Sequence, residues 1–83
     1  MYRVAFEKEA EKEFLKLDAK AQKIVANKIL DLQKGYFGSD KPLKGKYKGK
    51  FRKRAGNYRI IYLKEEDLLL ILIIRISHRK DVY

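Results

Sequence analysis

A nine-residue apolar stretch, Leu68–Ile76, constrains the fold of this 83-residue chain more than any other feature. Only Arg75 interrupts it, and its many β-branched residues favour a strand over a helix. A strand without alternation of apolar and polar residues is typical of one that is covered on both faces. We therefore expect an interior strand here. Its longest unbroken apolar run has seven residues, far fewer than the roughly 20 that a membrane helix needs.

Shorter patterns predict the other elements. Alternation over Tyr2–Phe6 predicts a short strand, and apolar stripes at helical spacing predict two helices, one over 7–17 and one from Asp18 to Gly35. Residues 35–49 are glycine-rich and contain the only proline, so we expect a loop. Strands then flank turns at 55–57 and 64–67. The predicted fold class is α+β, a single domain over 1–83 in the order β-α-α-β-β-β, with the helical hairpin on one face of a small, mainly antiparallel sheet.

Positive charge is concentrated in the second half of the chain. The formal net charge is +10, and residues 35–83 contribute +8 of it. Within Lys41–Arg54, eight of the fourteen residues are basic and none is acidic. Such an asymmetry predicts a polyanionic partner, and nucleic acid in particular.

Several chemistries have no support in the sequence. There is no cysteine, no group of acidic residues and histidine at metal-ligand spacing, and no glycine-rich phosphate loop. We therefore expect neither a metal nor a cofactor. The N-terminus leads directly into charged residues without an apolar signal segment, so the expected location is cytoplasmic, with no membrane partner.

The turn of the predicted hairpin decides where its arginines point, because a slip of one residue exchanges the two faces. A two-residue turn, Ala55-Gly56 or Gly56-Asn57, places Arg59 on one face with other cations, namely Lys50, Arg52 and Arg54. Glycine in the first position favours a type II′ turn at Gly56-Asn57. A three-residue turn would bury the guanidinium of Arg59 under the helices, which is unfavourable.

A face that carries these cations could cleave RNA without a metal ion. The 2′-hydroxyl attacks the neighbouring phosphate, and the enzyme supplies a base, cations for the added charge and an acid for the leaving oxygen. A lysine crowded by other cations could be the base. His78, the only histidine, is the usual type of residue for proton transfer near neutrality, and Tyr83 could stack on a base.

The element order and three segments resemble the RelE-type toxins, the toxin half of bacterial and archaeal toxin–antitoxin pairs. The segments are Lys41–Gly45, Arg52–Tyr62 and Ser77–Tyr83, so the resemblance covers nearly the whole chain. It implies a RelE-like fold and a metal-independent endoribonuclease without a cofactor, which enters the A site of the 30S ribosomal subunit and cuts the mRNA codon there. It also implies a cognate antitoxin as partner.

Carried over residue by residue, the resemblance implies that Arg59 stabilises the pentavalent phosphate and that Arg79 assists the leaving group. Tyr83 corresponds to a tyrosine that stacks on the cut nucleotide. Lys50 and Arg52 occupy positions where the best-known relatives have two lysines, one of them the proposed base. Because the second is arginine here, either Lys50 or His78 is expected to move the proton. Further cations are expected to bind RNA, namely Lys44, Lys46, Lys48, Arg54 and Lys80.

Two other functions compete with this interpretation. Relatives of the same fold, the ParE toxins, inhibit DNA gyrase, but they generally lack the full set of Arg59, Arg79 and Tyr83. A non-catalytic module that binds nucleic acid or the ribosome through the basic face alone is the other alternative.

Overall fold

The computed structural model describes residues 1–38 and 40–80. Two helices and five strands follow the chain in the order β1 (Arg3–Phe6), α1 (Lys8–Leu15), α2 (Ala19–Gln33), β2 (Lys41–Pro42), β3 (Phe51–Ala55), β4 (Tyr58–Glu65) and β5 (Leu70–His78). A single 3-10 turn, Gly45–Tyr47, separates β2 from β3.

The strands form one sheet in the spatial order β1-β5-β4-β3-β2. β1 is parallel to β5, and the other neighbours are antiparallel. The helices cover one face of this sheet, where Val25 and Leu32 of α2 belong to the same fully buried core as Ile60 and Ile73. The predicted α+β class, the helical hairpin on one face and the interior position of the last strand are confirmed.

Local chemistry explains where α2 begins and ends. The carboxylate of Asp18 accepts a hydrogen bond of 2.8 Å from the backbone N–H of Ala21, as an N-cap does. At the other end Gly35 adopts a φ of +85°, and Tyr36 N–H donates to the carbonyl of Asp31. This is a Schellman ending, which needs a residue that tolerates left-handed backbone. Both predicted boundaries of the second helix are confirmed.

Two boundaries in the second half of the chain were predicted wrongly. The region expected to be a loop, 35–49, contains β2, which pairs with β3 through Lys41–Arg52 and Pro42–Phe51. Leu68 and Leu69 do not begin the last strand, because they lie exposed in the turn that joins β4 to β5. Nor is β5 covered on both faces. Its residues alternate between buried and half-exposed over most of its length, since the helices cover only one side.

A buried polar network joins the segment before β2 to the sheet. The Nζ of Lys53 donates to the carboxylate of Asp40 at 3.2 Å and to the carbonyl of Tyr36 at 3.0 Å. The hydroxyl of Tyr62 donates to the same carboxylate at 2.6 Å. The side chains of Lys53 and Asp40 are 9% and 8% exposed. This network ties the Asp40 carboxylate to two side chains, Lys53 and Tyr62, that β3 and β4 direct toward the core.

Burial and the negative charge of Asp40 raise the pKa of Tyr62 well above its ordinary value of 10. The unfolded chain therefore loses this proton at a lower pH than the folded chain. The stability that the tyrosine contributes is complete below pH 10 and falls as the pH rises beyond it. Relative to Tyr62→Phe, the wild type should lose about 1.4 kcal/mol of unfolding free energy per pH unit above pH 10. Denaturant titrations at several pH values measure this slope, and parallel curves for the two proteins would contradict it.

Candidate nucleic-acid interface

The hairpin between β3 and β4 has a two-residue turn, Gly56-Asn57, which confirms the predicted register. Gly56 has a φ of +60°, whereas Asn57 stays at negative φ, as a type II′ turn requires. Arg54 therefore lies directly opposite Arg59 on the face away from the helices. The aromatic and aliphatic residues predicted for the other face do lie there, namely Phe51, Tyr58, Ile60 and Tyr62.

Three arginines meet at the sheet end that carries this turn. Arg54, Arg59 and Arg79 line a pocket of about 140 Å³ together with Gly56 and Tyr58, here called the arginine pocket. The backbone N–H of Arg79 donates to the carbonyl of Asn57 at 2.7 Å, so the end of β5 is tied to the hairpin turn. Within residues 1–38 and 40–80, no carboxylate forms an ion pair with any of the three. The pocket therefore brings together three guanidinium groups that no carboxylate of the described residues neutralises.

A second pocket of about 250 Å³ lies beside the first. It is lined by Asp40, Lys41, Arg52 and Arg54. We call it the edge pocket, because Lys41 belongs to β2, an edge strand of the sheet. Arg54 lines both pockets. Arg52 lines the edge pocket but not the arginine pocket, whereas Arg59 and Arg79 line the arginine pocket but not the edge pocket.

The other predicted catalytic residues are placed differently. His78 pairs with Tyr58 and therefore lies on the helix-covered face, where the two rings meet edge to face at 5.2 Å. Its Nδ1 accepts a hydrogen bond of 3.1 Å from the backbone N–H of Lys80. Lys50 is half-buried directly before β3. Tyr83 lies outside the described residues.

All five cations predicted to bind RNA are exposed, and Arg54 is the one among them that lines the two pockets. Lys44, Lys46 and Lys48 lie in and around the 3-10 turn, and Lys80 follows β5.

Arg75 differs from the arginines of the pocket. Its guanidinium is held by Glu13 at 2.7 Å and donates to the hydroxyl of Tyr47 at 3.3 Å. The carboxylate of Glu13 raises the pKa of Arg75. This arginine therefore holds the lysine-bearing 3-10 turn against β5.

Sequence reasoning missed two residues of this face. Lys41 belongs to the basic run, but its segment is predicted to be a loop, and a loop prediction assigns no face to a side chain. Ser77 lies opposite Arg59, is 6% exposed, and its Oγ has no hydrogen-bond partner among the described residues. Alternation from Arg75 would have placed Ser77 on the basic face and His78 on the other.

The described residues provide neither a metal-binding cluster nor a membrane-spanning helix. No group of three or more histidine, acidic or cysteine side chains is placed to hold a metal ion in that part of the chain. Neither α1 nor α2 is long and apolar enough to cross a membrane.

Comparisons with known proteins agree on one family. The family model described as the ParE toxin of the type II toxin–antitoxin system parDE matches residues 4–83. Toxin RelG of Mycobacterium tuberculosis is 34% identical over 53 residues, which are 64% of this chain. That match spans 61% of the relative, less than two thirds of its length.

Solved structures show the same fold. A chain of the toxin–antitoxin complex RelBE2 from Mycobacterium tuberculosis is similar with a TM-score of 0.83 and 29% identity, over 94% of this chain and 98% of the other. The isolated RelE toxin of E. coli gives a TM-score of 0.81 at 17% identity, over 99% and 88% of the two chains. At that identity the second match concerns the fold alone.

Proposed function

Since the chain belongs to the RelE/ParE family of toxins of type II toxin–antitoxin systems, we propose that it is a ribosome-dependent mRNA endoribonuclease. The observation that carries this proposal is the arginine pocket, where Arg54, Arg59 and Arg79 meet without an acidic partner in the described chain. Like charges placed directly across a sheet are destabilising, so the pair Arg54–Arg59 favours an anionic ligand. Phosphate is the anion that guanidinium groups bind best, through paired hydrogen bonds.

The proposed reaction uses the RNA's own nucleophile. A general base takes the proton of the 2′-hydroxyl, whose oxygen attacks the adjacent phosphorus. The bond to the 5′-oxygen breaks and that oxygen takes up a proton, which leaves a 2′,3′-cyclic phosphate and a 5′-hydroxyl. Arg59 and Arg79 stabilise the charge that builds up on the phosphate oxygens, and Arg79 assists the leaving group. Tyr83 stacks on the nucleotide that is cut.

Lys50 is the proposed general base. It precedes β3 by one residue, so alternation from Arg52 places it on the basic face, whereas His78 pairs with Tyr58 on the other face. Lys50→Ala should lower cleavage about 100-fold, a typical effect of losing a general base. His78→Gln should stay within a few-fold of the wild type. Single-turnover rates on programmed ribosomes separate the two variants, with melting temperatures as the control. A large loss in His78→Gln alone would assign the base to His78.

The ribosome supplies what this small site lacks. The two pockets are small, about 140 and 250 Å³, and the mRNA path in the A site supplies the alignment of the 2′-hydroxyl. Primer extension on purified ribosomes stalled on a defined mRNA tests the proposal. We expect breaks within the A-site codon and slow cleavage of the same RNA without ribosomes. Intact ribosome-bound mRNA, with a folded protein, would overturn the proposal.

A cognate antitoxin is the proposed partner, because the similar RelBE2 structure is a toxin–antitoxin complex. An acidic segment of that antitoxin would suit the exposed cations of the basic face. The substrate places the proposed activity in the cytoplasm.

Gyrase inhibition is the second candidate, since the matching family model is described as the ParE toxin. A DNA supercoiling assay distinguishes the two. Inhibition of gyrase that survives Arg59→Ala would favour this alternative over RNA cleavage.

A further inference from the structure

We infer that the edge pocket is a second phosphate subsite, which takes the RNA phosphate next to the one that is cleaved. The inference rests on the proposed function and deepens it, because it gives the direction in which the RNA crosses the sheet. The RNA strand then runs from the arginine pocket at the hairpin turn, past Arg54, to Lys41 and Arg52 at the edge of the sheet.

The spacing of the cations supports two successive phosphates. Arg52 and Arg54 are two residues apart on β3, so their side chains leave the same face from Cα atoms about 6.6 Å apart. Lys41 lies directly opposite Arg52 on β2. Because Arg54 lines both pockets, this residue lies between the two phosphates of a strand that occupies both.

The charge of the edge pocket is positive despite its carboxylate. Asp40 is engaged by Lys53 and by the hydroxyl of Tyr62, so its charge is already balanced within the buried network. Lys41, Arg52 and Arg54 make no ion pair within the described residues, which leaves three cations for a ligand.

The buried network also explains why so short an element holds its place. β2 has only two residues, and its pairing with β3 covers only those two positions. Asp40 comes directly before it and is anchored to β3 through Lys53 and to β4 through Tyr62. The anchored carboxylate therefore positions the backbone of Lys41, the exposed lysine that directly follows Asp40.

Lys41→Ala tests the subsite with little risk to folding, because the side chain is exposed. The probe is a short single-stranded RNA with one 2′-deoxy nucleotide at the cut position, so that binding is measured without cleavage. At 0.1 M salt the affinity should fall about five- to tenfold, and the slope of log K against log salt should decrease by about one phosphate contact. Lys23→Ala, an exposed lysine of α2 with the same change in charge, is the control and should leave both values unchanged.

The outcomes separate this inference from the proposed function. Ribosome-dependent cleavage by the wild type, together with equal RNA affinities for Lys41→Ala and Lys23→Ala, would overturn the subsite alone. A loss of affinity specific to Lys41→Ala would support the subsite even if mRNA on ribosomes stayed intact. In the cleavage assay, Lys41→Ala should raise KM and leave kcat near the wild-type value, since it binds a phosphate that does not react.

Discussion

Replacing Arg59 by alanine should lower the rate of mRNA cleavage on ribosomes by about 100- to 1,000-fold, the usual effect of removing one preorganised donor from a transition-state oxyanion. The same change should leave the fold intact or stabilise it slightly, by up to about 1 kcal/mol. The reason is that the guanidinium has no acidic partner in the described chain and lies opposite Arg54. Activity and stability should therefore move independently.

Single-turnover cleavage and thermal melting, measured on the same preparations, test this expectation. Arg3→Ala is the matched control, because Arg3 is an exposed arginine of β1, at the opposite edge of the sheet from β2. If Arg59→Ala and Arg3→Ala cleave at the same rate, Arg59 has no place in the site.

Replacing Asp40 by alanine should lower the free energy of unfolding by about 3–5 kcal/mol. The substitution leaves the ammonium group of Lys53, 9% exposed, without its carboxylate, and removes the acceptor of the Tyr62 hydroxyl. An unpaired buried charge is far more costly than the loss of an exposed ion pair. Asp31→Ala provides the comparison, because Asp31 forms a solvent-exposed pair with Lys28 at 3.9 Å. Its loss should cost less than about 1 kcal/mol.

A second substitution identifies the cause. Adding Lys53→Met to Asp40→Ala removes the stranded charge, so the double variant should recover part of the lost stability. Urea denaturation of the four proteins, wild type included, measures these differences. Equal losses for Asp40→Ala and Asp31→Ala would show that the network contributes little.

Elements determined by neighbouring residues could be predicted from the sequence. Asp18 and Gly35 bound α2 because capping and left-handed backbone depend on a few adjacent residues. Gly56 set the hairpin register for the same reason, and with it the shared face of Arg54 and Arg59. β2 was missed because its position depends on contacts of Asp40 with residues 13 and 22 positions away, and no local pattern reports such contacts.

The candidate site was predictable to a similar degree. The meeting of Arg59 and Arg79 follows from the fact that β5 ends where the hairpin turn lies. Alternation from Arg75 puts His78 on the opposite face, but the face of Arg75 itself depends on the pairing of β4 with β5. That pairing contains an irregularity at Ile61–Tyr62, which shifts the register partway along. Lys53 looked like one more cation of the basic run, but alternation turns it toward the core, where Asp40 compensates it.

Two mRNAs on purified ribosomes, identical except for 2′-deoxy nucleotides in the A-site codon of one, show whether cleavage uses the RNA's own hydroxyl. If the RNA's own hydroxyl is the nucleophile, the protein cuts the all-ribose mRNA at that codon, leaves a 2′,3′-cyclic phosphate, and spares the substituted mRNA. Equal cutting of both mRNAs would contradict 2′-hydroxyl attack. No cutting of either, by a folded protein, would contradict the assignment of the arginine pocket to RNA cleavage.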